Sequence, residues 1–157
     1  MIFLEPEQYQ QKCAQLLNLY HKDISTLLPF AKIEHIGSSS IPNAISKGDL
    51  DIYIEVKPDQ FEFAIEQLKT LNFIEKQNTL RTHELCMLES LNNDDVAFQI
   101  VATGSKFTFF LTFRNKLIAS PALVDEYNQL KLQCSHLDPD QYRAIKADFI
   151  NRVLNHL

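Results

Sequence analysis

Residues 49–56, Asp-Leu-Asp-Ile-Tyr-Ile-Glu-Val, alternate with a period of two. Leu50, Ile52, Ile54 and Val56 fall on one face of an extended chain, and Asp49, Asp51, Tyr53 and Glu55 on the other. This is a strand pattern, so the chain must build a sheet and cover its aliphatic face with a second layer. The same alternation sets Asp49 and Asp51 side by side as paired carboxylates.

The flanking sequence supplies that layer. From Pro6 to about Leu28, Tyr9, Cys13, Leu16, Leu17 and Tyr20 recur at helical spacing, and Pro6 suits a first turn. A short strand from Ala31 ends at Gly37, followed by three serines and a polar loop to Pro42. After Lys57, Pro58 and Asp59 open a helix in which Phe61, Ala64, Ile65, Leu68 and Leu71 share a face up to Asn72. Further strands are expected at 73–77, about 81–89 and 96–103, the last entered from the turn-rich Asn92-Asn93-Asp94-Asp95. Beyond Gly104 the pattern is helical, over 107–118, 123–133 and 140–154, punctuated by Pro121 and Pro139. The expectation is an α+β fold, a mixed β-sheet packed with helices and ending in a helical part from about residue 105. With only three glycines and six prolines there is no linker, so residues 1–157 read as one domain.

Composition narrows the function classes. Lys and Arg number 15 against 20 Asp and Glu, a net charge of −5 that argues against bulk duplex nucleic-acid binding. No apolar run approaches bilayer length, and the opening MIFLEPEQYQQK lacks a cationic stretch followed by a long apolar one, so a cytoplasmic protein without a membrane partner is expected. Cys13, Cys86 and Cys134 are odd in number and widely spaced, which suits reduced packing residues rather than disulfides or a zinc site. No G-x-S-x-G elbow is present, and no cysteine lies beside a histidine.

The chemistry concentrates in Gly37-Ser38-Ser39-Ser40 and, about ten residues later, Asp49-Leu50-Asp51. Paired carboxylates are hard donors for Mg²⁺ or Mn²⁺, which keep several waters and bind substrate phosphates as well. A glycine lets backbone approach a ligand closely, and successive amides and hydroxyls can cradle a triphosphate. Either half alone is commonplace on solvated surfaces; the order of loop and then acidic strand is what singles them out. Lys47 offers a charge for the phosphates, as do Arg81 and Arg114, unless these are solvated surface charges. His35 either touches phosphate or positions the loop, or is a hydrogen-bonded structural residue; His83 has no partner motif. Tyr127 and Lys131, like Tyr142 and Lys146, stand four apart on helix faces, and either line an acceptor cleft or pack with their stems. Phe107, Phe109, Phe110 and Phe113 read as core rather than as base-stacking rings.

The segment HIGSSSIPNAISKGDLDIYIEV, residues 35–56, resembles the signature of the GrpB family of the nucleotidyltransferase superfamily. FRNKLIASPALVDEYNQLKLQ and DQYRAIKADFINRVL resemble that family's C-terminal helices, so the likeness covers nearly the whole chain. The resemblance implies a nucleotidyltransferase fold, with Gly37 and Ser38 in the nucleotide-binding loop and Asp49 and Asp51 as catalytic metal ligands; the reading of the residues themselves adds Ser39 and Lys47 to the nucleotide side. The superfamily adds a third carboxylate on a neighbouring strand, where this chain offers the neutral amide of Gln99 as the metal-side residue. Family members carry His-x-His there, and Ala97 and Gln99 stand in its place; Asp95 and Glu84 are the acidic alternatives. The implied activity is metal-dependent transfer of a nucleotidyl group from an NTP to an unidentified acceptor, with release of pyrophosphate. The alternative is a catalytically degenerate nucleotide-binding or regulatory protein-interaction module of the same fold.

Overall fold

The structure is a computed structural model and describes residues 1–156. Helix α1, Pro6–Leu27, starts at a capping box in which Gln8 Oε1 accepts from the Glu5 amide at 2.8 Å. Five strands follow: β1 Lys32–Ile36, β2 Leu50–Val56, β3 Phe73–Glu75, β4 Leu85–Ser90 and β5 Val96–Ala102. They form one sheet in the order β1-β2-β5-β4-β3, with β2 and β5 parallel and the other pairs antiparallel. Helix α2, Phe61–Lys69, lies between β2 and β3 in the chain, and α3 Phe109–Ile118, α4 Pro121–Gln133 and α5 Pro139–His156 follow the sheet.

The expected elements are present with trimmed ends. Helix α2 stops at Lys69 and the chain reverses at Asn72, whose φ of 68° is a left-handed turn conformation. The third strand ends at Glu75, and residues 81–84 stay outside β4. Helix α4 begins two residues early, with Pro121 in its first turn and Ser120 Oγ accepting from the Leu123 amide at 3.3 Å.

The aliphatic face of β2 meets the α1 and α2 layer as the alternation requires. Leu50, Ile52, Ile54 and Val56 are buried with Ile24 and Leu28 from the α1 end and with Phe61 and Leu68 of α2. Phe98 of β5 stacks on Phe73 in this core, ring centroids 3.9 Å apart. The opposite face is only half polar. Tyr53, expected among the polar residues, is fully buried with Ile36, Leu85, Val101 and Phe107, because Phe110 and Leu111 of α3 cover that end of the sheet. Toward Asp51 this cover stops, leaving the face open to a cavity bounded by the C-terminal helices. A third cluster joins Ile41 and Ala44 of the 37–48 loop to Leu117, Tyr127, Phe149 and Val153. That loop is therefore clamped onto the helical layer. Among the described residues no helix is long and apolar enough to cross a membrane.

Candidate functional site

Strand pairing sets the geometry. Asp51 is in register with Ile36 of β1 on one side and Ala97 of β5 on the other, and Ala97 in turn with Glu89 of β4. These four side chains share one face of the sheet in a single row. Gly37 follows β1 directly and adopts φ 77°, and a Cβ there would lie 2.5 Å from Asp51 Oδ2. Glycine is thus required twice, by the backbone and by the carboxylate packed against it.

Ser38–Ser40 form a single 3₁₀ turn. Its hydroxyls hold the loop together from within. Ser39 Oγ lies 2.8 Å from His35 Nε2, and Ser40 Oγ donates to the Gly37 carbonyl at 2.6 Å. Ser38 Oγ accepts from Lys131 Nζ at 2.7 Å, and the same ammonium donates to the Ile45 carbonyl at 2.6 Å and lies 3.8 Å from the Tyr127 ring centroid. Asn128, also on α4, accepts from the Ile45 amide and donates to the Asn43 carbonyl, each at 2.9 Å. From the other side Tyr9 of α1 donates to the Ala44 carbonyl at 2.6 Å.

Asp49 and Asp51, both half-buried, stand where two cavities meet. The larger, about 570 Å³, opens between Lys12, Lys76 and Glu89 and the Asn93–Asp95 turn. The smaller, about 350 Å³, runs between the sheet and the C-terminal helices, past Phe110, Phe113, Arg114, Tyr142, Arg143 and Lys146. Lys47, Asp49, Asp51, Lys76 and Met87 line both.

Residues 5–156 match the GrpB protein family. The chain belongs to the GrpB family. It is 53% identical to a UPF0157 protein of Vibrio cholerae over 98% of this chain and 82% of that one. A UPF0157 protein of Deinococcus radiodurans is 30% identical over 83% of this chain and 70% of its own. The crystal structure of GrpB from Enterococcus faecalis superposes with a TM-score of 0.73 at 20% identity, covering 98% of this chain and all of that one. The Cid1 poly(U) polymerase with MgGTP bound superposes with a TM-score of 0.57 at 14% identity, over 82% of this chain and 42% of that one. The fold is thus α+β and nucleotidyltransferase-like.

In this GrpB-family chain, Gly37, Lys47, Asp49, Asp51 and Gln99 line the smaller cavity together. Gln99 is buried, in register with Tyr53 and Met87 and so one row from Asp51. Asp95 lines the larger cavity, whereas Glu84 is at the far end of the sheet, its carbonyl accepting from the Ala102 amide. Arg81 is also remote, paired with Glu75 and Glu62 and placed over the Phe61 ring. Arg114 reaches the site and donates to the His35 carbonyl at 2.9 Å. The two Tyr/Lys pairs divide: Tyr127, Tyr142 and Lys146 line the cavity, and Lys131 is buried beneath the loop. Of the four phenylalanines, Phe107 is core, but Phe110 and Phe113 line the cavity. Lys12, Lys76, Glu89 and Arg143 carried no sequence signal for the site; only the strand register and helix docking bring them there.

Burial, then the charge of Asp49, pushes the Asp51 carboxyl well above the usual carboxylate range. Burial, then Arg114, lowers the His35 imidazole to about 4, so His35 is neutral beside Ser39. Burial, then Lys146, pushes the Lys131 amine down to about 7. In the unfolded chain a lysine titrates near ~10.4. Above pH 7 the unfolded state therefore holds a proton that the folded state has lost, and stability rises with pH; this contribution is lost as pH falls through 7. Asp51, raised by burial, opposes this rise near pH 7 and less strongly, and above ~8.5 unfolded thiols ionise while burial keeps those of Cys13 and Cys86 protonated in the folded chain. From pH 7 to 8.5 we expect a gain of order 1–2 kcal/mol in urea unfolding, flattened in Lys131→Met. Equal slopes in the two proteins would remove Lys131 as the source.

Proposed function

We propose that this GrpB-family protein is a metal-dependent nucleotidyltransferase that moves a nucleotidyl group from an NTP to an acceptor hydroxyl and releases pyrophosphate. The observation that carries the reading is the carboxylate pair at the common wall of two cavities, backed by a glycine whose Cβ would strike one carboxylate. One cavity suits a nucleotide, and the other leaves room for the molecule that receives it.

Asp49 and Asp51 fit Mg²⁺ or Mn²⁺ by donor chemistry: both are hard oxygen ligands, and both line the two cavities. Among the described residues no group of three or more His, Cys, Asp or Glu side chains is arranged to hold a metal, so waters and phosphate oxygens would complete the shell. Bound there, the ion would neutralise phosphate charge in the displacement. Lys47, Lys146, Arg114 and Arg143 supply positive charge along the smaller cavity for the triphosphate, and Phe110, Phe113 and Tyr142 supply rings for the base. The acceptor oxygen bonds to the α-phosphorus as the bond to the bridging oxygen of the β-phosphate breaks. Pyrophosphate leaves with that electron pair, and the hydroxyl proton passes to water. Positioning and charge stabilisation are the protein's main contributions.

The degenerate alternative is favoured by one observation, Ala97 beside Asp51, which supplies no ligand from β5. A degenerate module that lacks a working metal site would bind nucleotide without needing Mg²⁺ or not at all, so calorimetric titration with a non-hydrolysable NTP, with and without Mg²⁺, separates the two. The transferase reading expects metal-dependent binding that weakens about tenfold or more in Asp49→Asn/Asp51→Asn. Binding indifferent to Mg²⁺ in both proteins would sink it.

A further inference from the structure

The two cavities that share the carboxylates have opposite linings. The smaller presents aromatic rings and arginines, the groups that stack bases and bind phosphates. The larger has no aromatic ring and no arginine among the described residues that line it. Its wall carries five carboxylates, of Asp49, Asp51, Glu89, Asp94 and Asp95, against the three ammonium groups of Lys12, Lys47 and Lys76. With the first two carboxylates turned to a metal and Lys47 and Lys76 shared with the nucleotide side, Glu89, Asp94 and Asp95 face Lys12 alone among the cations that line this cavity only.

A second observation marks the same wall as lacking a donor. Asp94 Oδ2 accepts from the Tyr20 hydroxyl, but Asp94 Oδ1 is buried with no hydrogen-bond partner. A buried carboxylate oxygen left unpaired is costly. The turn that carries it is fixed: Asn93 and Asp95 both take left-handed φ of 59°, and the Asp95 carbonyl accepts from the Leu50 amide at 3.0 Å, one residue from each catalytic carboxylate. The acidic turn is therefore built into the start of the acidic strand.

We infer that the larger cavity is the acceptor subsite and that it takes a small hydroxylated amine, the attacking hydroxyl lying at Asp49 and Asp51 and the ammonium group at Glu89, Asp94 and Asp95. This rests on the transferase reading above. A volume of about 570 Å³ is that of a small-molecule pocket. A nucleic-acid end is disfavoured, because a strand is held by basic grooves and stacking platforms that this wall does not offer.

The test uses the full chain with Mg²⁺ and a non-hydrolysable NTP, titrated with glucosamine, glucose, glucose 6-phosphate and a hexa-adenylate oligoribonucleotide. The sugars share a ring and differ in charge. Glucosamine is expected to bind about fivefold or more tightly than glucose, and glucose 6-phosphate more weakly than either. Asp94→Asn/Asp95→Asn and, separately, Glu89→Gln should each shrink the preference for glucosamine. Asparagine tolerates the left-handed backbone at 95, so the double variant is expected to fold. Three sugars that bind alike or not at all, or an oligonucleotide that binds more tightly than glucosamine, would overturn the inference while metal-dependent NTP binding left the transferase reading standing. Loss of metal-dependent NTP binding in the unmodified chain would overturn both.

Discussion

Gly37→Val is expected to abolish the metal-dependent nucleotide binding proposed above while leaving the sheet assembled. A β-branched residue at φ 77° is forced into a conformation costing of order 1–3 kcal/mol. The steric term is separate, since the new Cβ would start 2.5 Å from Asp51 Oδ2. Either Asp51 leaves its position or the loop lifts away from β2, and each outcome dismantles the site. Gly37→Ala meets the same contact with one carbon and should show a graded loss. The far-UV spectrum should be retained, because the α1 and α2 core lies on the other face of the sheet. Titration and circular dichroism on the same samples check this, and wild-type affinity in Gly37→Val would show that the approach of loop to carboxylate is unimportant.

Lys131→Ala is expected to cost about 3–4 kcal/mol of stability. The side chain is fully buried, and its ammonium ties α4 to the Ser38 hydroxyl and the Ile45 carbonyl at once. Truncation leaves the Ile45 carbonyl without that donor and opens a void beside Tyr127. Lys131→Met keeps the volume and removes the burial of a cation, so its cost should be about 1 kcal/mol or less. Urea unfolding of the pair decides the matter. If both variants lose the same amount, the hydrogen bonds of Lys131, absent from both, hold the loop rather than the packed volume of its side chain.

How far the sequence reveals this site depends on how local each determinant is. Strand β2 is legible because alternation is a property of eight consecutive residues, and Gly37 because a glycine before a polar run needs no partner to be noticed. Helix α1 is legible from its apolar spacing. Tyr53 is misleading: its alternation says polar face, yet α3 covers that half of the sheet from nearly sixty residues away in the chain. Glu84, an acidic alternative in the sequence, and Glu89, which carries no signal of its own, both fall in the expected 81–89 strand, and only the pairing of β4 with β5 leaves the first at the Ala102 end and sets the second in the row of Asp51. Lys131 and Lys146 occupy identical helical contexts. Docking alone buries one under the loop and turns the other into the cavity. What the sequence withholds is thus long-range register, which no window along the chain contains.

The three reduced cysteines give the molecule its own set of opening clocks. Cys13 lies in α1 with its thiol 3.7 Å from the Gly48 carbonyl, Cys86 is fully buried in β4, and Cys134 closes the end of α4. Burial pushes the Cys86 thiol up to about 12 and raises that of Cys13. An alkylating reagent at neutral pH therefore reaches each sulfur only when its own layer comes apart. The rate at Cys13 times the release of α1 beside the acidic strand, that at Cys86 the parting of the sheet, and that at Cys134 the fraying of the helix that staples the loop. One labelling time course resolves the cooperativity of all three layers without adding a probe.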